Sequence, residues 1–167
     1  MRMDPKKTIR ILGIDPGFGR LGYGVIEGHG NTWKHITHGC IETNKDASFL
    51  DRLVQISDEL NRIIKEYKPS LAGVEELFFA KNVTTALKVA HARGVILLTL
   101  HQLGIPVREY KPSVIKQAVT GHGGADKQQM QRMVKMLLSL ESIPKPDDAA
   151  DALGIALTCG ALVRIKG

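Results

Sequence analysis

The sequence predicts an α/β protein with a mixed sheet, mainly because of the order of its elements. Three predicted strands come first, a long amphipathic helix follows, and strands and helices then alternate. The first strand, residues 11–15, is apolar up to Asp15, which is typical of a strand covered on both faces. Pro16 and Gly17 end this strand. We therefore expect helices on both sides of the sheet and Asp15 at its edge.

The next elements are a hairpin and a helix. Two predicted strands, residues 21–27 and 32–43, are separated by a hairpin-type turn at residues 28–31. Residues 48–67 place apolar side chains at helical spacing, and Ser48 is in position to cap this helix.

Strands and helices alternate in the second half of the chain. The predicted strands are residues 71–77 and 105–110, and the predicted helices are residues 82–103, 112–120, 126–140 and 147–163. The helix 82–103, which Asn82 would cap, is apolar on more than one face, so it is either deeply buried or packs against a second subunit. We expect one domain over residues 10–167, preceded by an N-terminal extension at residues 1–9.

Composition narrows the class of protein. The 167 residues are 43% hydrophobic and carry a net charge of +6, which favours an anionic partner, nucleic acid first. No apolar run reaches the roughly 18 residues of a membrane span, and no signal-type stretch follows the charged N-terminus, so we expect a cytoplasmic protein. Cys40 and Cys159 are too few for a disulfide framework, and we expect two reduced thiols.

Acidic residues stand at three places where chemistry is plausible. Asp15 ends the first strand, and Glu75 or Glu76 ends another, although strand alternation does not decide between these two glutamates. Asp148 and Asp151 are three residues apart on a predicted helix, so their side chains share one face. Helix capping is the simpler explanation for such acids, and we expect it for the neighbouring Asp147. Asp151 is too deep in the helix to cap it.

Together these acids form the ligand set that two hard divalent cations require. Mg²⁺ prefers carboxylate oxygens, and two ions about 4 Å apart can activate a water and stabilise the leaving oxygen in phosphodiester hydrolysis. Four carboxylates close together would repel each other without metal, so we expect a metal-dependent site.

Three motifs give the chain a resemblance to a known family. The segments LGIDPG around Asp15, VEELFFAKN around Glu75 and DAADALGIAL around Asp148 and Asp151 resemble the bacterial RuvC family of Holliday junction resolvases, from Arg10 onward. The resemblance implies a ribonuclease H-like fold with a mixed five-stranded sheet flanked by helices. It also implies a homodimer that needs Mg²⁺, two ions per subunit with Mn²⁺ as a substitute, and nicks four-way DNA junctions symmetrically. The RuvAB branch-migration complex is the partner it implies.

The resemblance assigns roles to individual residues. The four catalytic, metal-binding acids fall on Asp15, Glu75, Asp148 and Asp151, which settles the choice between the two glutamates by resemblance alone.

Further roles concern DNA. The stacking aromatic of the family matches Phe78, and two lysines near the scissile phosphate match Lys116 and Lys127. Other cations are expected to contact DNA phosphates: Lys81, Lys88, Arg93, Lys111 and Arg132. The helix 82–103 is our hypothesis for the dimer interface, and a two-fold dimer matches the symmetry of a four-way junction.

Two other classes of function remain open at this point. ATP-binding proteins of the actin and sugar-kinase type also begin with a strand ending in Gly-Ile-Asp and a glycine loop, although their fold needs two such domains. A catalytically inert junction-binding module, or a related nuclease acting on RNA, is the second alternative. The retained acids favour cleavage, in which one ion activates water and the other assists the leaving 3′ oxygen, giving a 5′ phosphate and a 3′ hydroxyl.

Overall fold

The computed structural model describes residues 8–77 and 83–163, and this part of the chain forms a five-stranded mixed sheet. The strands are β1 (Ile9–Asp15), β2 (Arg20–His29), β3 (Thr32–Glu42), β4 (Leu71–Glu75) and β5 (Val107–Tyr110). Their order in the sheet is β3-β2-β1-β4-β5. The first three strands are antiparallel neighbours, whereas β1 pairs with β4, and β4 with β5, in parallel. The prediction of a mixed α/β sheet is confirmed.

Helices cover both faces of the sheet. The helices are α1 (Phe49–Tyr67), α2 (Val83–Gln102), α3 (Pro112–Thr120), α4 (Lys127–Leu137) and α5 (Asp147–Leu162). One core lies between the sheet and the pair α1 and α2, and the other lies between the sheet and the group α3, α4 and α5. Alternate residues of β1 supply the two cores, so Ile11 faces α5 while Leu12 and Ile14 face α1 and α2. This sharing explains why the strand is apolar from Ile11 to Ile14.

The predicted boundaries of the helices and strands agree with the structure to within a few residues. The differences have local physical causes. The Ser48 hydroxyl accepts the backbone N–H of Asp51 and caps α1, as predicted. Strand β5 begins at residue 107 rather than 105, because Pro106 has no N–H to donate to a ladder. Helix α4 ends before Leu138, since Ser139 adopts a left-handed conformation. The predicted cap Asn82 lies outside the described residues.

Small residues let α5 lie unusually close to the sheet. A Cβ atom on Gly13 of β1 would overlap the backbone of Ala152, and one on Gly22 of β2 would overlap the carbonyl oxygen of Asp148. Helix α5 is buried from Ala149 to Gly160 at almost every position, so it is the central helix of its layer. The two glycines therefore set the distance between the sheet and the acidic start of α5.

Gly22→Ala should move that start of α5 away from β2. We expect a loss of about 1–3 kcal/mol in the free energy of unfolding, because the new methyl group meets backbone atoms that cannot rotate away. Thermal unfolding measures this as a fall of roughly 3–9 °C in the melting temperature. Gly123→Ala is the matched control, since its Cβ would make only ordinary van der Waals contacts, the nearest at 3.5 Å from the carbonyl oxygen of Ser113. Equal melting temperatures for the two variants would contradict the close approach.

Helix α2 leaves much of its apolar surface uncovered in a single chain. Its inner face buries Ala92, Ile96 and Leu100, but Leu87 is 53% exposed and Leu98 is 56% exposed. By length and composition alone this helix is apolar enough to cross a membrane. The sequence did not predict this, because polar residues interrupt the apolar run. Because α2 packs against α1 and supplies a core, we interpret its exposed face as a surface for a protein partner.

Both cysteines are free, as expected from their number and separation.

Candidate active site

Two adjacent parallel strands bring the first two acids together. Strand β1 ends at Asp15 and β4 ends at Glu75, and the register pairs Ile14 with Val74 immediately before them. Alternation along β4 places Glu75 on the same face as Leu71 and Gly73, which contact the core under α5. Neither carboxylate receives a hydrogen bond or an ion pair from the described residues. Both acids are half-buried at the carboxyl ends of these two strands, on the face of the sheet that packs against α5.

Helix α5 supplies the other two acids. The antiparallel register pairs Asp15 with Gly22, and the missing side chain of Gly22 is the space into which the backbone of Asp148 packs. Asp151 follows one turn later on the same face of the helix. The close approach of α5 to the sheet thus brings the acidic pair near the strand ends.

Two lysines and two of the acids line one cavity of about 220 Å³. Glu75 and Asp151 stand beside Lys116 of α3 and Lys127, the first residue of α4, and the rest of the lining is mostly apolar. Asp126 caps α4 through a capping box with Gln129, and this fixes where Lys127 begins its helix. The lining residues are Glu75, Pro112, Ile115, Lys116, Lys127, Met130, Asp151 and Ile155.

Burial, and then the charges of neighbouring carboxylates, raise the pKa of Asp15. Loss of contact with water is the largest cause that raises the pKa of Asp15 to about 8, and the charge of Glu75 is the next. The charges of Asp151 and Asp148 raise the pKa of Asp15 as well, in that order, while Lys127 lowers it.

The same two causes act on the other half-buried acids. Loss of contact with water and then the charge of Asp151 raise the pKa of Glu75 to about 7, against the charge of Lys116. The pKa of Asp151 is also raised, chiefly by its own loss of contact with water, although Lys127 opposes the rise.

Three acids at this end of α5 form ion pairs with cations of the protein itself. The Arg20 guanidinium lies 3.0 Å from an Asp148 oxygen, and Lys127 Nζ lies 2.9 Å from Asp147 and 3.9 Å from Asp151. Asp147 does not cap α5 as predicted. Pro146 occupies the cap position, and the Asp147 carboxylate instead accepts a hydrogen bond from Gln131.

The donor set suits a hard divalent cation. Within residues 8–77 and 83–163, no three acidic, histidine or cysteine side chains are close enough, as they stand, to bind one ion. Two carboxylates nevertheless lie half-buried without a hydrogen-bond donor, and a third and fourth are adjacent on α5. Burial first, and then the charges of neighbouring acids, raise the pKa of Asp15 and of Glu75, and a cation beside these carboxyl groups would favour their ionised forms.

Comparison with known proteins agrees with this geometry. A family model described as "Crossover junction endodeoxyribonuclease RuvC" matches residues 11–159, which is most of the chain. The chain belongs to the RuvC family. A crossover junction endodeoxyribonuclease RuvC of Thermosipho melanesiensis is 54% identical over 148 residues, which cover 89% of this chain and 94% of that protein. One from a Roseiflexus species is 52% identical over 148 residues, 89% of this chain and 88% of that protein.

Solved structures place the fold in the same family. The T. thermophilus RuvC in complex with Holliday junction substrate superimposes with a TM-score of 0.85 at 34% identity, covering 90% of this chain and 92% of that chain. The yeast mitochondrial Holliday junction resolvase Ydc2 has a TM-score of 0.62 at 16% identity, over 89% of this chain and 77% of that one, a likeness of fold alone. The ribonuclease H-like α/β fold predicted from the RuvC resemblance is confirmed.

The remaining cations predicted to bind DNA have different surroundings. Lys111, Lys88 and Arg132 are exposed, whereas Arg93 is engaged inside the protein. Arg93 forms an ion pair with Glu109 and donates a hydrogen bond to the backbone carbonyl of Glu75, a placement that disfavours phosphate contact and braces the end of β4. The predicted DNA-binding residues Phe78 and Lys81 lie outside the described residues.

Arg20, which forms an ion pair with Asp148, was not among the residues predicted from the sequence to lie at the site. Its position five residues after Asp15, at the start of a strand antiparallel to β1, is the signal that could have revealed it. A two-strand hairpin returns the chain to the point where the first strand ended, so Arg20 had to lie near the acids.

Proposed function

We propose that this member of the RuvC family resolves Holliday junctions by metal-dependent hydrolysis of DNA phosphodiester bonds. The observation that carries the proposal is the convergence of half-buried acids and two lysines on one cavity beside α5. An ATP-binding role is disfavoured, since the match to the RuvC family covers residues 11–159, which is most of the chain.

Asp15, Glu75, Asp148 and Asp151 are the residues that would hold Mg²⁺, two ions per subunit, with Mn²⁺ as a substitute. Metal ions in such a site lower the pKa of a water nucleophile and stabilise charge on the phosphate and the leaving oxygen. Asp15 is central to the set, because the charges of the other three acids all raise its pKa. Its ionisation at neutral pH therefore depends on a nearby cation.

Lys116 and Lys127 would balance the charge of the phosphate. Lys116 lowers the pKa of Glu75, and Lys127 lowers the pKa of both Asp15 and Asp151, so each lysine stands within electrostatic reach of the acids. Their exposed or half-exposed ammonium groups can approach DNA from the open side of the cavity.

A homodimer would give each four-way junction two such sites. A two-fold dimer places one site on each of two opposed strands and yields symmetric nicks. The exposed apolar face of α2 is the surface we assign to this contact. Phe78 and Lys81 remain predicted contacts to unpaired bases and to phosphates. RuvAB remains a predicted partner, and the cytoplasm remains the predicted location.

Leu87→Glu should convert the dimer into monomers. The charged side chain would have to be desolvated in the interface, which costs several kcal/mol without a partner. Size-exclusion chromatography with light scattering measures the mass in solution. Met136→Glu is the control, because Met136 is 63% exposed on α4, on the opposite layer. A dimer that persists with Leu87→Glu and Leu98→Glu rejects this interface.

The proposed activity is tested with a synthetic four-way junction and a linear duplex of the same sequence. With Mg²⁺ we expect paired nicks in the junction that DNA ligase can seal, and at least about 100-fold slower cutting of the duplex. EDTA should stop cutting while a gel-shift assay still detects junction binding. Equal cutting of the duplex would remove junction specificity, and cutting of RNA alone would favour the alternative nuclease.

A further inference from the structure

Arg20 lies between the sheet and the acidic start of α5. It is the first residue of β2, and its Nη2 atom is 3.0 Å from Oδ2 of Asp148. Its Nε atom is 3.7 Å from Oε1 of Glu42, the residue opposite it on β3. The side chain is 48% exposed, so the guanidinium can leave Asp148 without breaking the core.

The ion pair competes with the role proposed for Asp148. The positive charge of the guanidinium, 3.0 Å from an Asp148 oxygen, repels a second cation that approaches the same carboxylate. In the described residues, the acids do not converge on a single ion while this pair is intact. Asp148 must therefore turn from Arg20, or share its oxygens, when a metal ion binds.

DNA offers the guanidinium a second partner. A phosphate presents two oxygens that match the planar fork of arginine, and a phosphate bound among the acids would lie near Arg20. Glu42 is 69% exposed and 3.7 Å away, so it can keep the guanidinium at the site during this change. Binding of a DNA phosphate to Arg20 therefore favours the release of Asp148.

We propose that Arg20 is a positioning residue that holds Asp148 in the metal-free enzyme and releases it when a DNA phosphate takes its place. This inference rests on the proposed function of the acids. It makes binding of metal and binding of DNA mutually favourable, because each removes the partner that hinders the other.

The first test measures Mg²⁺ binding without DNA, by calorimetry, in the wild type and in Arg20→Gln. We expect the variant to bind Mg²⁺ about 5-fold more tightly, at the low end of typical coupling between sites, since the competing charge is removed. Arg20→Lys keeps the positive charge, so its affinity for Mg²⁺ should be close to the weaker affinity of the wild type. Arg62→Gln is the matched control, because Arg62 forms an ion pair with Glu59 on the surface of α1.

The second test measures junction binding in EDTA as a function of salt. Loss of one phosphate contact should lower the slope of log affinity against log salt by about 1 in Arg20→Gln and leave it unchanged in Arg62→Gln. Unchanged or weaker Mg²⁺ binding by a folded Arg20→Gln protein would overturn the inference. Failure of both the wild type and Arg20→Gln to bind Mg²⁺, with or without the junction, would instead overturn the proposed function.

Discussion

Asp15→Asn should abolish cleavage of a four-way junction while leaving junction binding nearly unchanged. The amide keeps the shape of the side chain but loses the negative charge that a divalent cation requires. We expect the rate of cutting in Mg²⁺ to fall at least about 1,000-fold, which corresponds to about 4 kcal/mol of lost transition-state stabilisation. A single-turnover assay on a labelled junction measures this rate.

The variant must be shown to fold and to bind. A gel shift in EDTA should give an affinity within about 3-fold of the wild type, because removing one acid does not weaken contacts with phosphates. Asp58→Asn, which removes an exposed acid on α1, should cut at the wild-type rate. Cutting by Asp15→Asn at more than about a tenth of the wild-type rate would exclude Asp15 from the site.

The same substitution should stabilise the metal-free protein at high pH. Burial raises the pKa of Asp15 from its ordinary value of 3.8 to about 8 in the folded protein, so the folded state holds the proton more tightly than the unfolded state. The contribution of Asp15 to the free energy of unfolding is therefore fully present below about pH 4 and is lost as the pH rises to about 8. Glu75 adds a similar fall up to about pH 7.

Thermal unfolding in EDTA measures this effect. At about pH 8, Asp15→Asn should melt about 5 °C higher than the wild type, and the difference should shrink towards pH 4. Mg²⁺ should raise the melting temperature of the wild type and have little effect on the variant. Asp58→Asn should melt like the wild type at every pH. A variant that is less stable than the wild type at about pH 8 would contradict a repulsive cluster of buried acids.

Much of the fold could be predicted from the sequence because local signals agree with the tertiary structure. The apolar run before Asp15 is a strand with both faces covered, and the Ser48 cap begins α1. Strand ends were less accurate, since ladders stop where neighbouring strands stop. The predicted strand 71–77 ends at Glu75, where only β1 and the short β5 are available to pair.

The individual acids of the candidate site were harder to predict. The choice between Glu75 and Glu76 depends on which face of β4 packs under α5, and nothing local in the sequence specifies that. Asp147 resembles a helix cap in sequence, but its partners are Lys127 and Gln131, which come from another helix. Arg20 was missed for the same reason, because its partner Asp148 is 128 residues away in the chain.

Magnesium binding by single variants of β4 tests the central claim most directly. Glu75→Gln and Glu76→Gln make the same chemical change at neighbouring positions, but the structure directs only Glu75 towards Asp151 and the cavity beside α5. We predict by calorimetry that Glu75→Gln weakens Mg²⁺ binding at least about 10-fold, whereas Glu76→Gln binds like the wild type. Equal affinities for both variants and the wild type would contradict a metal site built from these acids.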